Sequence, residues 1–315
     1  MTTTTASQIA QLQRSIATVI KGKDEAIELA LVALIARGHL LIEDVPGVGK
    51  TTLAQALARS FNCSFQRIQF TSDMLPSDVI GVSVYNQGSQ QFEFKPGPLF
   101  ANIVLADEIN RTTPKTQSAL LEAMNESNVT VENTTHALPQ PFMVLATQNP
   151  IEHHGTYPLP ESQLDRFLMR IRMGYPNRAS EKEIIRNHSG LAAAGALVPV
   201  MGAADVAAMQ ATAQNVRVDE SLLDYALGIV ERTRQSEHLS LGISPRGSVM
   251  LHRAAQALAL VEGRDYCLPD DFKRLIVPVF AHRLVVSTRY ASTAKKMDQA
   301  ETILNDILDS TAVPL

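Results

Sequence analysis

Apolar positions along the chain change their period once. Between residues 24 and 175, short apolar runs alternate with stretches spaced as amphipathic helices; beyond residue 175 only the helical spacing persists. The runs at 39–42, 103–106, 142–147 and 167–173 have the length of buried strands, and 65–70 alternates like a strand with one wet face. Helical patterns at 24–36, 51–60 and 114–124 accompany them. Strands alternating with helices predict βαβ units on a parallel sheet. Two stretches break the rhythm. VSVYNQGSQQFEFK (82–95) reads as a hairpin turning at 86–89, and VTVENTTHAL (129–138) as a second hairpin just ahead of the strand at 142.

Past Gly174 the expected elements are all helical. Ser180 and Glu183 have the spacing of a capping box that opens a helix. Pro199 and Gly202 mark a loop, 219–235 is a further helix, and Ser244 followed by Pro245 reads as an N-cap with proline at the first helical position. LPD at 268–270 begins one more. The chain therefore divides near residue 176. The expectation is a flexible N-terminal segment over 1–14, an α/β domain over 15–176 and a smaller helical domain over 177–315.

Composition narrows the partners. Among 315 residues, 28 Lys and Arg stand against 32 Asp and Glu, without the basic excess of a general nucleic-acid binder. Two cysteines, Cys63 and Cys267, cannot build a disulfide framework and read as buried thiols in a reducing compartment. The first residues, MTTTTASQIAQLQRS, have neither the basic nor the apolar region of a signal peptide. The apolar run at 191–204, interrupted by Gly195, Pro199 and Gly202, is too short for a membrane span. A cytoplasmic location is expected.

The chemistry begins at EDVPGVGKTT, 43–52. A strand, a tight glycine turn and a helix in that order form the setting of a phosphate loop, whose backbone N–H groups and helix N-terminus face an anion. Pro46, Gly47, Val48, Gly49, Lys50, Thr51 and Thr52 form the expected cradle, with Lys50 reaching the β/γ-phosphates and Thr51 ligating Mg2+. Asp44 stands where the pattern G-x-x-x-x-G-K-[ST] has its first glycine. It either costs backbone freedom there or caps a nearby N–H.

Three later segments extend the site. IVLADEIN (103–110) is a strand ending in two acids, which in a parallel sheet lie at the carboxyl edge where ligands bind. There Asp107 can hold the Mg2+ shell and Glu108 can take the proton of an attacking water. FMVLATQNP (142–150) brings Asn149 to the same edge, either to orient that water or simply to make an Asn-Pro turn. In LPESQLDRFLMRI (159–171), Arg166 lies too far from its own phosphate loop for a direct role and suits a neighbouring subunit's site. The alternative is a local pair with Asp165 or Glu161. A fourth segment, SPRGSVML (244–251), places Arg246 in the first turn of a lid helix, where a cation opposes the helix dipole and a phosphate contact would explain it.

EDVPGVGKT, FTSDMLPSDVIG, GPLFANIVLADEINR, KTQSALLEAM, ATQNP, YPLPESQLDRFLMRI and SPRGSV together resemble the MoxR branch of the AAA+ ATPases, over about residues 15–285. The resemblance implies an AAA+ P-loop core with a five-stranded parallel sheet, a helix-2 insert, a hairpin before sensor 1 and an all-α lid. Lys50 and Thr51 then belong to Walker A, Asp107 and Glu108 to Walker B; Asn149 is sensor 1, Arg166 the arginine finger and Arg246 sensor 2. It further implies ATP and Mg2+ at the interfaces of a ring, usually a hexamer, chaperone-like remodelling of protein clients, and a partner with a von Willebrand factor A domain. Arg111 is left without a role.

Two other motors share this arrangement. A metal-chelatase subunit differs mainly in its client. A DNA-acting motor would present basic hairpins, yet the tips YNQGSQQ and ENTTH carry no Lys or Arg, and Lys95 lies only at a hairpin base. No N-K-x-D motif for guanine is present.

Overall fold

The computed structural model of the chain describes residues 2–149, 156–187, 190–287 and 296–313. Its first part runs α1 (Thr2–Ala17), α2 (Asp24–Ile35), β1 (Leu40–Glu43), α3 (Lys50–Ser60), β2 (Phe65–Gln69), α4 (Pro76–Ile80), β3 (Gly81–Asn86) and β4 (Gln91–Pro96). It continues with β5 (Ile103–Asp107), a 3-10 turn (Ile109–Arg111), α5 (Pro114–Glu126), β6 (Asn128–Val131), β7 (Thr134–Ala137), β8 (Met143–Gln148), α6 (Glu161–Leu164) and β9 (Met169–Ile171). Five strands make one parallel sheet in the order β2-β5-β8-β1-β9. β1, β5 and β8 are apolar up to their carboxyl ends because both faces are covered, as central parallel strands must be. β2 lies at the edge and buries only Ile68 fully. The expected hairpins are β3–β4 and β6–β7, each an antiparallel pair outside the sheet.

The second part runs α7 (Arg178–Asn187), α8 (Leu191–Gly195), α9 (Ala203–Ala213), α10 (Glu220–Gln235), β10 (Leu239–Leu241), α11 (Pro245–Val261), α12 (Pro269–Phe280), a 3-10 turn (Ala281–Arg283), β11 (Val285–Val286) and α13 (Lys296–Asp309). Asp219 caps α10 and Ser244 caps α11, its Oγ accepting from Gly247 N at 3.2 Å. Among the described residues no helix is long and apolar enough to cross a membrane.

Three expectations are corrected. The segment 1–14, expected to be flexible, lies mostly within α1, because Ile9, Leu12 and Ile16 recur on one helical face and are buried. The cap of α7 is Asn177, whose Oδ1 accepts from Ser180 N at 2.8 Å, so Ser180 is already inside the helix. The second part is also not purely helical: β10 and β11 pair antiparallel.

α2 is apolar nearly all round, since it is covered by the sheet on one side and by α9 and α11 on the other. Gln210 Nε2 on α9 donates to Leu34 O at 2.8 Å, and Arg253 Nη2 on α11 donates to Ala36 O at 2.7 Å. One apolar cluster thus continues from Ile9 and Leu31 through Leu258 to Phe272 and Leu304. A second fills the opposite face of the sheet, under α5 and the second hairpin.

Candidate functional site

The loop after β1 reaches α3 through Gly47 (φ +85°) and Gly49 (φ +99°), left-handed backbone that any side chain would strain. Its exposed N–H groups and the N-terminus of the eleven-residue α3 face a cleft of about 320 Å³. Pro46, Gly47, Gly49, Lys50, Thr51 and Thr52 line one side of it. Asp107, Glu108 and Asn149 line the other, at the carboxyl ends of β5 and β8. Val48 faces a smaller adjoining cavity of about 160 Å³, which shares Gly47, Gly49 and Thr52 with the cleft and is closed by Ile20, Pro176 and Ile184.

Lys50 Nζ donates to Asp44 O at 2.7 Å. Its pKa is lowered by burial, against the opposing charges of Asp107, Asp44 and Glu108. Asp107 uses both oxygens: Oδ1 accepts from Thr147 Oγ1 at 2.6 Å, and Oδ2 from Arg67 Nη2 at 2.6 Å. Glu108 adopts left-handed backbone (φ +59°), an uncommon conformation for a non-glycine residue. Its N–H donates to Thr147 Oγ1 at 2.9 Å, so one hydroxyl ties both acids to β8. Glu108 Oε2 accepts from Gln69 Nε2 at 2.7 Å and pairs with Arg111 Nε at 3.2 Å. Buried Gln117 stabilises the turn that follows, donating to Ile109 O at 3.2 Å and Tyr157 O at 2.9 Å.

Arg67, Gln69 and Thr147 are the members that motif reasoning omitted. β2 and β8 supply them, and only the register that sets Gln69 beside Asp107 brings the edge strand into the site. Sequence alternation shows that Arg67 and Gln69 share a face of β2, but not that this face meets the acids.

The two remaining arginines lie elsewhere. Neither Arg166 nor Arg246 lines the cleft of its own chain. Arg166 Nη1 donates to Leu121 O at 2.7 Å, and its Nε is buried without a hydrogen-bond partner. Asp165, the alternative partner weighed for it, is engaged by Arg283 Nε at 2.9 Å. Ser244 Oγ also donates to Asp165, at 3.2 Å, which places the start of α11, and with it exposed Arg246, beside the Arg166 segment. The six residues 150–155 that follow Asn149 lie outside the described residues.

Metal binding fits the cleft in a limited sense. No cluster of His, Cys, Asp and Glu able to cage an ion occurs among the described residues. The hydroxyl of Thr51 and the carboxylate of Asp107 instead line one cleft. That donor set suits Mg2+, which takes one or two protein oxygens and completes its shell with phosphates and water.

Sheet order, glycine loop and paired acids define a P-loop core of the AAA+ type. The profile of the ATPase family associated with various cellular activities (AAA) matches residues 39–169, and that of the AAA lid domain matches 231–307. The chain is 50% identical to the uncharacterized protein YeaC of Bacillus subtilis strain 168, over 94% of its own length and 92% of that protein's. It is 43% identical to Chaperone MoxR1 of Mycobacterium tuberculosis, over 98% of this chain and 84% of that one, and 30% identical to Protein MoxR of Methylorubrum extorquens, over 89% and 88%. A crystal structure from Cytophaga hutchinsonii, whose description proposes an ATPase, superposes with a TM-score of 0.89 at 36% identity, covering 100% of this chain and 97% of that one. The chain belongs to the MoxR family of AAA+ ATPases.

Proposed function

We propose that this chain hydrolyses ATP with Mg2+ at the interfaces of a ring, a hexamer by family resemblance, and uses the cycle to remodel protein clients. The observation that carries the reading is the meeting of Lys50, Thr51, Asp107, Glu108 and Asn149 in one cleft at the sheet's carboxyl edge. Triphosphate lies against the loop N–H groups and Lys50, while base and ribose have room in the apolar cavity beside Val48 and Pro176. Thr51 and Asp107 would hold Mg2+, which would supply charge neutralisation on the phosphate oxygens. Glu108 accepts the proton of the attacking water as that water bonds to the γ-phosphorus and ADP departs. Asn149 orients the water, and Gln69 and Arg111 hold Glu108 in position.

The placement of Arg166 and Arg246 supports a ring. Both stand outside the lining of their own cleft; Arg166 there suits a neighbour's transferring phosphate, and Arg246 a phosphate contact from the lid. Protein clients are favoured over nucleic acid because neither hairpin tip carries Lys or Arg. A von Willebrand factor A domain partner and a cytoplasmic location belong to the same reading. Phosphate release by the purified chain tests it: Lys50→Ala should abolish nucleotide binding, and Glu108→Gln should bind ATP with turnover reduced at least about a hundredfold. Wild-type turnover in Glu108→Gln would overturn the assignment.

A further inference from the structure

Asp44, at the position where the phosphate-loop pattern has its first glycine, uses its side chain on a distant segment. Oδ1 accepts from Val45 N at 2.8 Å. Oδ2 accepts from Met173 N at 2.7 Å and Gly174 N at 2.5 Å. Two backbone donors converging on one ionised oxygen are charge-assisted bonds, about twice as strong as neutral ones. The main chain of Asp44 is occupied as well, its N–H donating to Gln148 O at 3.3 Å and its carbonyl accepting from Lys50 Nζ at 2.7 Å.

The segment it grips is the corner by which the chain leaves β9 for α7. Gly174 takes φ +63° there, which turns successive N–H groups inward toward Asp44. The next carbonyl, Tyr175 O, accepts from Lys23 Nζ at 2.7 Å, so the corner is pinned from two directions. Immediately beyond it comes Pro176, which with Ile184 forms the wall of the smaller cavity opposite Gly47, Val48 and Gly49. A glycine at position 44 would have no side chain with which to hold that wall.

We propose that Asp44 is a positioning residue for the nucleoside half of the ligand: by fixing the Met173–Gly174 corner to the phosphate loop, it sets the spacing of the cavity that receives base and ribose. The proposal rests on the reading of the cleft as an ATP site. It separates two effects that a substitution in a phosphate loop would otherwise merge. Loss of the corner affects ligands that carry a nucleoside, whereas loss of loop geometry affects any polyphosphate.

Competition against a fluorescent ATP analogue, with unlabelled ATP and with inorganic tripolyphosphate, tests it on the full-length wild type and on Asp44→Gly and Asp44→Asn. Asp44→Gly is expected to weaken ATP on the order of tenfold, the equivalent of one charge-assisted hydrogen bond, and tripolyphosphate by less than about twofold. Asp44→Asn keeps the shape and one acceptor oxygen, and should show the same split at smaller size. It also decides the matter if the glycine variant does not fold. Equal weakening of both ligands would assign Asp44 to the loop itself, and unchanged ATP affinity would leave the corner without influence; either result overturns the proposal. Lys50→Ala serves as the reference: if it binds ATP like the wild type, the ATP-site reading fails first and separately.

Discussion

Arg283 Nε donates to Asp165 Oδ1 at 2.9 Å, and Asp165 immediately precedes Arg166. Arg283 is buried in the turn after α12, and it also donates to Leu168 O (3.3 Å) and Phe167 O. A helical-domain side chain thus fixes the loop that presents Arg166. The SPRG stretch makes room for this: a Cβ on Gly247 would lie 3.2 Å from Arg283 Cδ and 2.7 Å from Ile243 Cγ2. Arg283→Ala leaves Asp165 partly buried without its guanidinium and should lower unfolding free energy by about 3 kcal/mol. Urea denaturation checks it; an unchanged midpoint would mean the pair holds nothing.

Arg166 makes one backbone hydrogen bond from a half-buried position, so Arg166→Ala should cost only about 1 kcal/mol of stability. Turnover should nevertheless fall by a factor of about a thousand if it acts as a finger. Mixing Arg166→Ala with Glu108→Gln tests the trans arrangement, because some mixed interfaces then combine an intact acid with an intact arginine. Activity that stays flat at every mixing ratio would count against it.

Arg67 occupies Oδ2 of Asp107, one of the two carboxylate oxygens open to a metal, through a pair in which the arginine side chain is 46% exposed. An exposed pair of this kind contributes at most about 1 kcal/mol. Arg67→Gln should therefore reduce, by about two- to fivefold, the Mg2+ concentration needed for half-maximal thermal stabilisation with nucleotide. A requirement that rises instead would show that Arg67 assists the metal rather than competing with it.

His39 predicts the acid sensitivity of the fold. Val144 N–H donates to Nδ1 at 3.0 Å, which leaves the ring proton on Nε2, 2.8 Å from Met124 O. Burial is the main cause that lowers its pKa from 6.5 to about 4, with the Met124 bond opposing and Arg253 assisting. Between those values the unfolded chain binds a proton that the folded chain refuses, so stability rises with pH across that window. The contribution is complete above pH 6.5 and is lost as pH falls toward 4, by about 3 kcal/mol. Buried His282, lowered by desolvation and by Arg283, acts in the same direction. His39→Gln, which can donate and accept at similar positions, should flatten part of the slope in a pH series of denaturant melts. An identical slope would remove His39 from the account.

Much of this was legible in the sequence because it depends on local pattern. The runs at 103–106 and 143–146 are apolar throughout since both faces are covered, and the glycine loop needs only neighbours in the chain. Long-range partners were not legible. Arg166 stands beside Asp165 in sequence, but Asp165 is claimed by Arg283, and nothing local announces a partner from the far end of the chain. Arg67 and Gln69 join the acids only through strand register. In α1 the polar threonine run masks a stripe of Ile9, Leu12 and Ile16, and β10 and β11 are too short to show a period. Asp44 presented two readings, and the structure shows its side chain capping backbone N–H groups.

The apolar cluster that passes through α2 has a consequence for how the molecule can be taken apart. Cutting the chain at residue 176 would strip α9 and α11 from α2 and leave a long oily surface in water. Two architectural units therefore share one thermodynamic fate: calorimetry should record a single melting transition, with no stage at which the nucleotide-binding half stands alone.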